Sequence, residues 1–185
     1  MSCRTAERFW QRARGETHAR TGKTKPADLP IAEPGTNTSF GPLKQIDAGL
    51  LIVGYAEAGP AAGPAVILLH GWPYDIYSFV DVAPILAVAG YRVIVPYLRG
   101  YDTTRFLSSE TIRNGQPSVV AVDIISLMDA LKIEKAIIGG FDWGGRTANI
   151  IAALWPERCS GSRLHVWLET LEKEFIGQSA RSQRR

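Results

Sequence analysis

Gly140-Phe141-Asp142-Trp143-Gly144 sets an acid between two glycines at alternate positions. The apolar run Ala136-Ile137-Ile138 precedes it closely, and a helix-like segment, 147–154, follows. A strand that turns sharply into a helix holds one side chain out above the sheet. The flanking positions must be small because strand and helix nearly collide there. The spacing is that of a nucleophile elbow, with Asp where the commoner form carries Ser. A carboxylate of ordinary pKa, about 3.9, is ionised at neutral pH and attacks without a base to activate it. Asp142 is the candidate nucleophile.

Two further clusters stand where such an elbow needs them. His70-Gly71-Trp72-Pro73 follows the apolar run 65–69, and Tyr97-Leu98-Arg99-Gly100-Tyr101 follows the run 91–95. A strand running into a glycine turn leaves backbone N–H groups unpaired above the sheet. With the amide after the nucleophile, they can hold an oxyanion. On that geometry the donors are the amides of Trp72 and Trp143. Alone, the His70 tetrapeptide also fits a tight turn with a core histidine; the elbow downstream gives it the functional reading. Arg99 reads as orienting its loop by bonding backbone carbonyls. The alternative sets its charge beside Asp142, where it would hold the acid's pKa low.

These residues must be positioned by the elements between them. The runs 65–69, 91–95 and 135–138 are short and mostly unbroken in apolar character. Strands buried on both faces, as in a parallel sheet, require that. Segments 79–89 and 118–131 read as helices. In the second, Val120, Ile124, Leu127, Met128 and Leu131 form one stripe, with Asp123, Ser126 and Lys132 largely off it. Upstream, 43–47 and 50–58 read as a hairpin around Ala48-Gly49. Strands alternating with helices predict an α/β fold, a mostly parallel sheet with flanking helices.

The chain has 185 residues, the size of one domain with a real core. Its formal charge of +3 is unevenly spread. Residues 1–25 carry a net +5 and residues 157–185 a net +2, leaving 26–156 at −4. A mildly acidic body argues against nucleic acid. Cys3 and Cys159 supply neither a disulfide framework nor metal spacing. No apolar run is long enough for a bilayer, and the N-terminus lacks the apolar core of a secretory signal. The predicted setting is cytoplasmic, with no cofactor, metal, nucleic acid or membrane partner. Three regions are expected: a basic, disordered tail over 1–38, a core over 39–160, and a C-terminal tail over 161–185.

Residues 39–159 resemble the α/β-hydrolase family, in its epoxide hydrolase and haloalkane dehalogenase branch. His70-Gly71-Trp72-Pro73, Leu98-Arg99-Gly100-Tyr101 and Gly140-Phe141-Asp142-Trp143-Gly144-Gly145 match in type, order and spacing. Three departures exist: Tyr97 where Asp is usual, Asp102 where Gly is usual, and Phe141 where His often stands. The resemblance implies that Asp142 opens an epoxide, or displaces a halide, to give an alkyl-enzyme ester. A His paired with a second acid then activates water to hydrolyse it. It also implies a small apolar electrophilic substrate contacted by His70, Pro73 and Trp143, with the Trp143 indole facing a halide in dehalogenases. Arg146 matches a carboxylate-binding arginine of fluoroacetate dehalogenases, but Trp143 stands where their companion arginine would. Arg146 therefore reads as a solvated helix arginine, with carboxylate binding the alternative.

The acid and the base His of the resemblance have no match. The one histidine after Pro156 is His165, which follows no strand. Leu164, Leu168, Leu171 and Phe175 recur at helical spacing, with Glu169 and Lys173 an i, i+4 pair. That texture predicts an amphipathic helix and a sequence leaving the family pattern near Gly161, truncated or frame-shifted. Strand 135–141 would then be an exposed apolar edge. The expected activity is ester formation at Asp142 without turnover; the alternative is a non-catalytic fragment or binding module on the same fold.

Overall fold

The computed structural model describes residues 37–160. The expectations for the N-terminal tail up to residue 36 and for the helix through Leu164 and Phe175 lie outside these residues.

Lys44–Ala48 (β1) and Leu51–Ala58 (β2) form the expected hairpin, antiparallel, with Ala48 opposite Leu51. Gly49 opens the turn at φ 59°, a left-handed conformation that glycine adopts without steric cost. Ala65–Leu69 (β3), Arg92–Pro96 (β4) and Ala136–Gly140 (β6) are the three apolar runs. β3 lies between β4 and β6 and pairs with both in parallel, while β2 joins β4 antiparallel. The sheet order is β1-β2-β4-β3-β6. A two-residue strand, Arg105–Phe106 (β5), pairs with the start of β2. It carries no sequence signal of its own.

The strands divide their side chains between two cores. Ile67, Leu69 and Ile94 enter one, and Val66, Leu68, Val93 and Val95 enter the other. Continuous apolarity is thereby explained for β3 and β4: both faces are covered. Pro117–Ala130 (α2) and Trp143–Leu154 (α3) cover the first face, and Val82–Val88 (α1) covers the second. Each fully buried Leu or Ile side chain contributes about 1.5–3 kcal/mol.

β6 departs from the pattern of a strand buried on both faces. It alternates, with Ala136, Ile138 and Gly140 buried but Ile137 40% exposed. As the last strand of the described sheet, β6 has one face uncovered. Its outer edge carries a single parallel bridge, Ala136 to Cys159, with the Ser160 amide on the Ala136 carbonyl at 2.8 Å.

The predicted helix over 79–89 is two pieces, a 3-10 turn at Ile76–Phe79 and then α1. Asp75 starts the first by accepting from the Tyr77 amide at 2.9 Å. Pro84 sits in the first turn of α1, where a missing N–H removes no helical bond. The α2 stripe is buried at Val120, Ile124, Leu127 and Met128. Asp123, expected off the stripe, is 6% exposed. It is buried because it pairs with Arg99.

Candidate active site

Three parallel strands end at one edge of the sheet, and each releases one of the sequence clusters there. β3 runs into His70–Pro73, β4 into the 97–104 loop, and β6 into the elbow.

Asp142 has φ 48° and ψ −118°, a left-handed backbone on a non-glycine residue. Such conformations cost of order 1–3 kcal/mol and gather at functional sites. Neighbouring contacts impose it. The Phe141 amide bonds the Leu69 carbonyl at 3.3 Å, and the Arg146 amide bonds the Asp142 carbonyl at 3.0 Å as α3 begins. A Cβ at Gly140 would meet the Leu69 carbonyl oxygen at 2.5 Å, and one at Gly144 would collide with that same oxygen. The collision argued from spacing is thus a contact with one named atom.

The Trp72 amide donates to Asp142 Oδ2 at 2.9 Å. This is one of the two oxyanion donors expected. The other, the Trp143 amide, makes no hydrogen bond with the Asp142 carboxylate, since no amide of α3 caps on it. The Trp72–Pro73 peptide is cis, and Trp72 and Tyr74 are exposed beside the acid's turn. The Phe141 ring lies under Tyr74 and Phe79, at centroid distances of 6.1 and 5.7 Å.

His70, expected to contact substrate, is turned into the protein interior. Its side chain is fully buried, its Nε2 accepts from the Leu98 amide at 3.1 Å, and its Nδ1 lies 3.3 Å from the Gly71 carbonyl oxygen. A ring that meets the backbone of the loops after both β3 and β4 is part of the frame.

Arg99 takes the structural reading. Its guanidinium makes two 2.6 Å bonds to the carboxylate of Asp123 and one to the Asn114 carbonyl. Burial pushes the Asp123 carboxyl up, and the Arg99 hydrogen bonds and charge oppose that. Arg146 is exposed, with its guanidinium over the half-buried Trp143 ring at 5.6 Å. Pro73 is exposed next to Trp72.

Two of the departures from the family pattern meet each other. Tyr97 is buried, and its phenol is pushed up by burial first, then by the charge of Asp102 and a hydrogen bond to it. Asp102 has φ 34°, where the pattern has glycine. Sequence reading also missed Thr104, whose buried hydroxyl accepts from the Gly54 amide at 3.0 Å and donates to the Tyr97 carbonyl at 2.8 Å. Nothing in the Thr103-Thr104 dipeptide distinguishes it.

A model of the alpha/beta hydrolase fold family matches residues 64–165. Epoxide hydrolase B of Mycobacterium tuberculosis is 36% identical over 115 residues, 61% of this chain and 32% of that protein. The AB hydrolase superfamily protein YfhM of Bacillus subtilis is 40% identical over 102 residues, 55% of this chain and 35% of that protein. Among solved structures, a candidate epoxide hydrolase from Klebsiella pneumoniae shares 66% identity with a TM-score of 0.63, covering 63% of this chain and 39% of that one. An epoxide hydrolase from Vigna radiata shares 29% with a TM-score of 0.58, covering 64% and 35%. The chain thus spans about a third of the length of these relatives. The matched residues take in the His70 turn, the Arg99 loop and the Asp142 elbow, and on these grounds the chain belongs to the alpha/beta hydrolase family, with epoxide hydrolases among its relatives.

Proposed function

We propose that Asp142 opens small epoxides by attack at carbon. The observation that carries this is the elbow itself, an acid at φ 48° whose Oδ2 is already held by the Trp72 amide. With Oδ2 held, Oδ1 is the attacking oxygen. A bond forms from Oδ1 to a ring carbon, the ring C–O bond breaks, and the ring oxygen takes a proton from solvent. The product is a hydroxyalkyl ester of Asp142 with Oδ2 as its carbonyl oxygen. When water attacks that ester, charge develops on Oδ2 and the Trp72 N–H stabilises it. Loss of such a donor typically costs about 3–4 kcal/mol of transition-state stabilisation.

Hydrolysis of the ester needs a base for water. Among the described residues the one histidine is His70, and its ring is buried and bonded on both nitrogens. In this reading the first step is supported and the second is not, so the chain forms the ester once. Epoxides are favoured over alkyl halides because the similar proteins are epoxide hydrolases. A cytoplasmic setting is part of the same reading, to which the free thiol of Cys159 lends support.

Incubation with styrene oxide and quantitation of released diol tests the stoichiometry. About one equivalent of epoxide retained on the protein, with no enzymatic release of diol, supports single ester formation. Many equivalents of diol, abolished by Asp142→Ala, would show a complete hydrolase. No reaction of any kind at Asp142 would leave a non-catalytic module on this fold.

A further inference from the structure

His70 has no role in the chemistry just described, yet it is the fully buried polar ring nearest to it. Its surroundings fix its protonation. A backbone N–H is only ever a donor, so the Leu98 amide 3.1 Å from Nε2 requires a lone pair there. The ring proton then sits on Nδ1, which faces the Gly71 carbonyl oxygen at 3.3 Å. The Tyr101 ring packs edge-on against the imidazole, 4.5 Å between centroids. One side chain therefore ties the loop after β4 to the turn after β3.

That turn has little freedom of its own. Gly71 lies so close to the elbow that a Cβ on it would stand 2.6 Å from the Asp142 Cβ. The next residue, Trp72, places its amide on Asp142 Oδ2. The loop after β4 is itself anchored, through the Thr104 hydroxyl, to Gly54 on β2. A continuous set of contacts thus runs from the middle of the sheet through Leu98 and His70 to the acid.

The geometry points to His70 as the positioning residue of the oxyanion amide: its neutral, Nδ1-protonated ring spans the loops after β3 and β4 and holds the turn that aims the Trp72 N–H at Asp142. This rests on the proposed reading of Asp142 only in what the amide is for. An imidazolium would have N–H on both sides and no lone pair for Leu98, so protonation breaks the tie. Around the ring stand Asp75 and the Tyr74 backbone on its own loop, Tyr101 on the loop after β4, and Asp142 on the elbow, packed against Gly71. Burial outweighs the pull of the Gly71 carbonyl and the Asp75 charge, and the ring's pKa lies below its ordinary value.

The test is amide NMR on the full chain as wild type, His70→Gln and His70→Ala. The glutamine side chain supplies an oxygen that can accept from Leu98. The expected result is that His70→Ala shifts the Trp72 amide and lowers its exchange protection by about tenfold, the scale of one ordinary hydrogen bond, while His70→Gln restores it. In the wild type, the Leu98 and Trp72 amides move together with the His70 ring carbons in one acid titration step, which His70→Gln removes. A Trp72 amide unchanged in folded His70→Ala, or unmoved through the wild-type histidine step, would overturn the proposal. Should His70→Ala fail to fold, the wild-type titration and His70→Gln still decide. Should no epoxide label Asp142, the proposed function fails while these amide readouts stand.

Discussion

The backbone N–H of Trp72 donates to Oδ2 of Asp142 across 2.9 Å, joining two turns 70 residues apart in sequence. In the proposed reading that bond selects the attacking oxygen and pre-places a donor for the charge that follows. Its geometry depends on how closely the two turns approach.

Gly71→Ala should therefore damage the site more than the fold. The new Cβ would meet Asp142 Cβ at 2.6 Å and the Phe141 carbonyl oxygen at 2.9 Å, pushing the Trp72 amide off the acid. Alkylation of Asp142 by an epoxide is expected to slow by up to about 10²-fold, because the carboxylate loses the bond that orients Oδ1 for attack. Rates followed by intact-protein mass, beside a melting curve, check this. A rate within twofold of wild type would mean the amide is idle.

Arg99 and Asp123 form a buried pair, their side chains 5% and 8% exposed. Removing one charge strands the other, so Arg99→Met should cost about 3–5 kcal/mol in urea unfolding. The double variant Arg99→Met/Asp123→Leu should recover much of that, because no unpaired charge remains. A double variant as unstable as the sum of the singles would contradict the pair as drawn.

Arg146 and Trp143 supply a test of substrate charge. The guanidinium stacks over the indole on the exposed side of α3, a contact worth about 0.5–1 kcal/mol. Arg146→Ala should leave alkylation by a neutral epoxide unchanged and lower stability slightly. A large loss of rate confined to carboxylated epoxides would instead restore the carboxylate-binding role.

Acid should weaken the fold through two groups, one beginning to act at higher pH than the other. Burial alone would push the Glu57 carboxyl up, but hydrogen bonds from Lys44 and Arg92, each 2.6 Å, and their charges hold it below its ordinary 4.5. The His70 ring is also held below its ordinary 6.5, mainly by burial. Both folded pKa values are depressed, so the unfolded chain binds more protons in each window and stability falls as pH drops. The His70 contribution is full above 6.5 and lost as pH falls through its lowered value. The Glu57 contribution follows from 4.5 downward. Urea midpoints across pH should show the first decline missing in His70→Gln and the second in Glu57→Gln.

The sequence was most legible where backbone geometry restricts residue type. Gly140 and Gly144 announced the elbow because the Leu69 carbonyl leaves no room for a Cβ at either. The runs in β3 and β4 announced a sheet covered on both faces, and the α2 stripe announced its buried side. What was not legible depended on partners far away in the chain. Asp123 looked like a solvent position until Arg99, 24 residues away, was found on it. His70 looked like a substrate contact because its motif was visible and its partner, the Leu98 amide, was not. Ile137 read two ways, buried by its unbroken apolar run and exposed by the edge expected of 135–141, and only the fold showed its face to be open.

Peptide mapping after exposure to a simple 1,2-epoxide tests the central claim most directly. The peptide containing Asp142 should gain the mass of one epoxide, with the modification localised to that carboxylate and absent in Asp142→Ala. Folded protein whose Asp142 stays unmodified, or whose label falls equally on exposed acids such as Asp129 and Glu134, would contradict an activated nucleophile at the elbow.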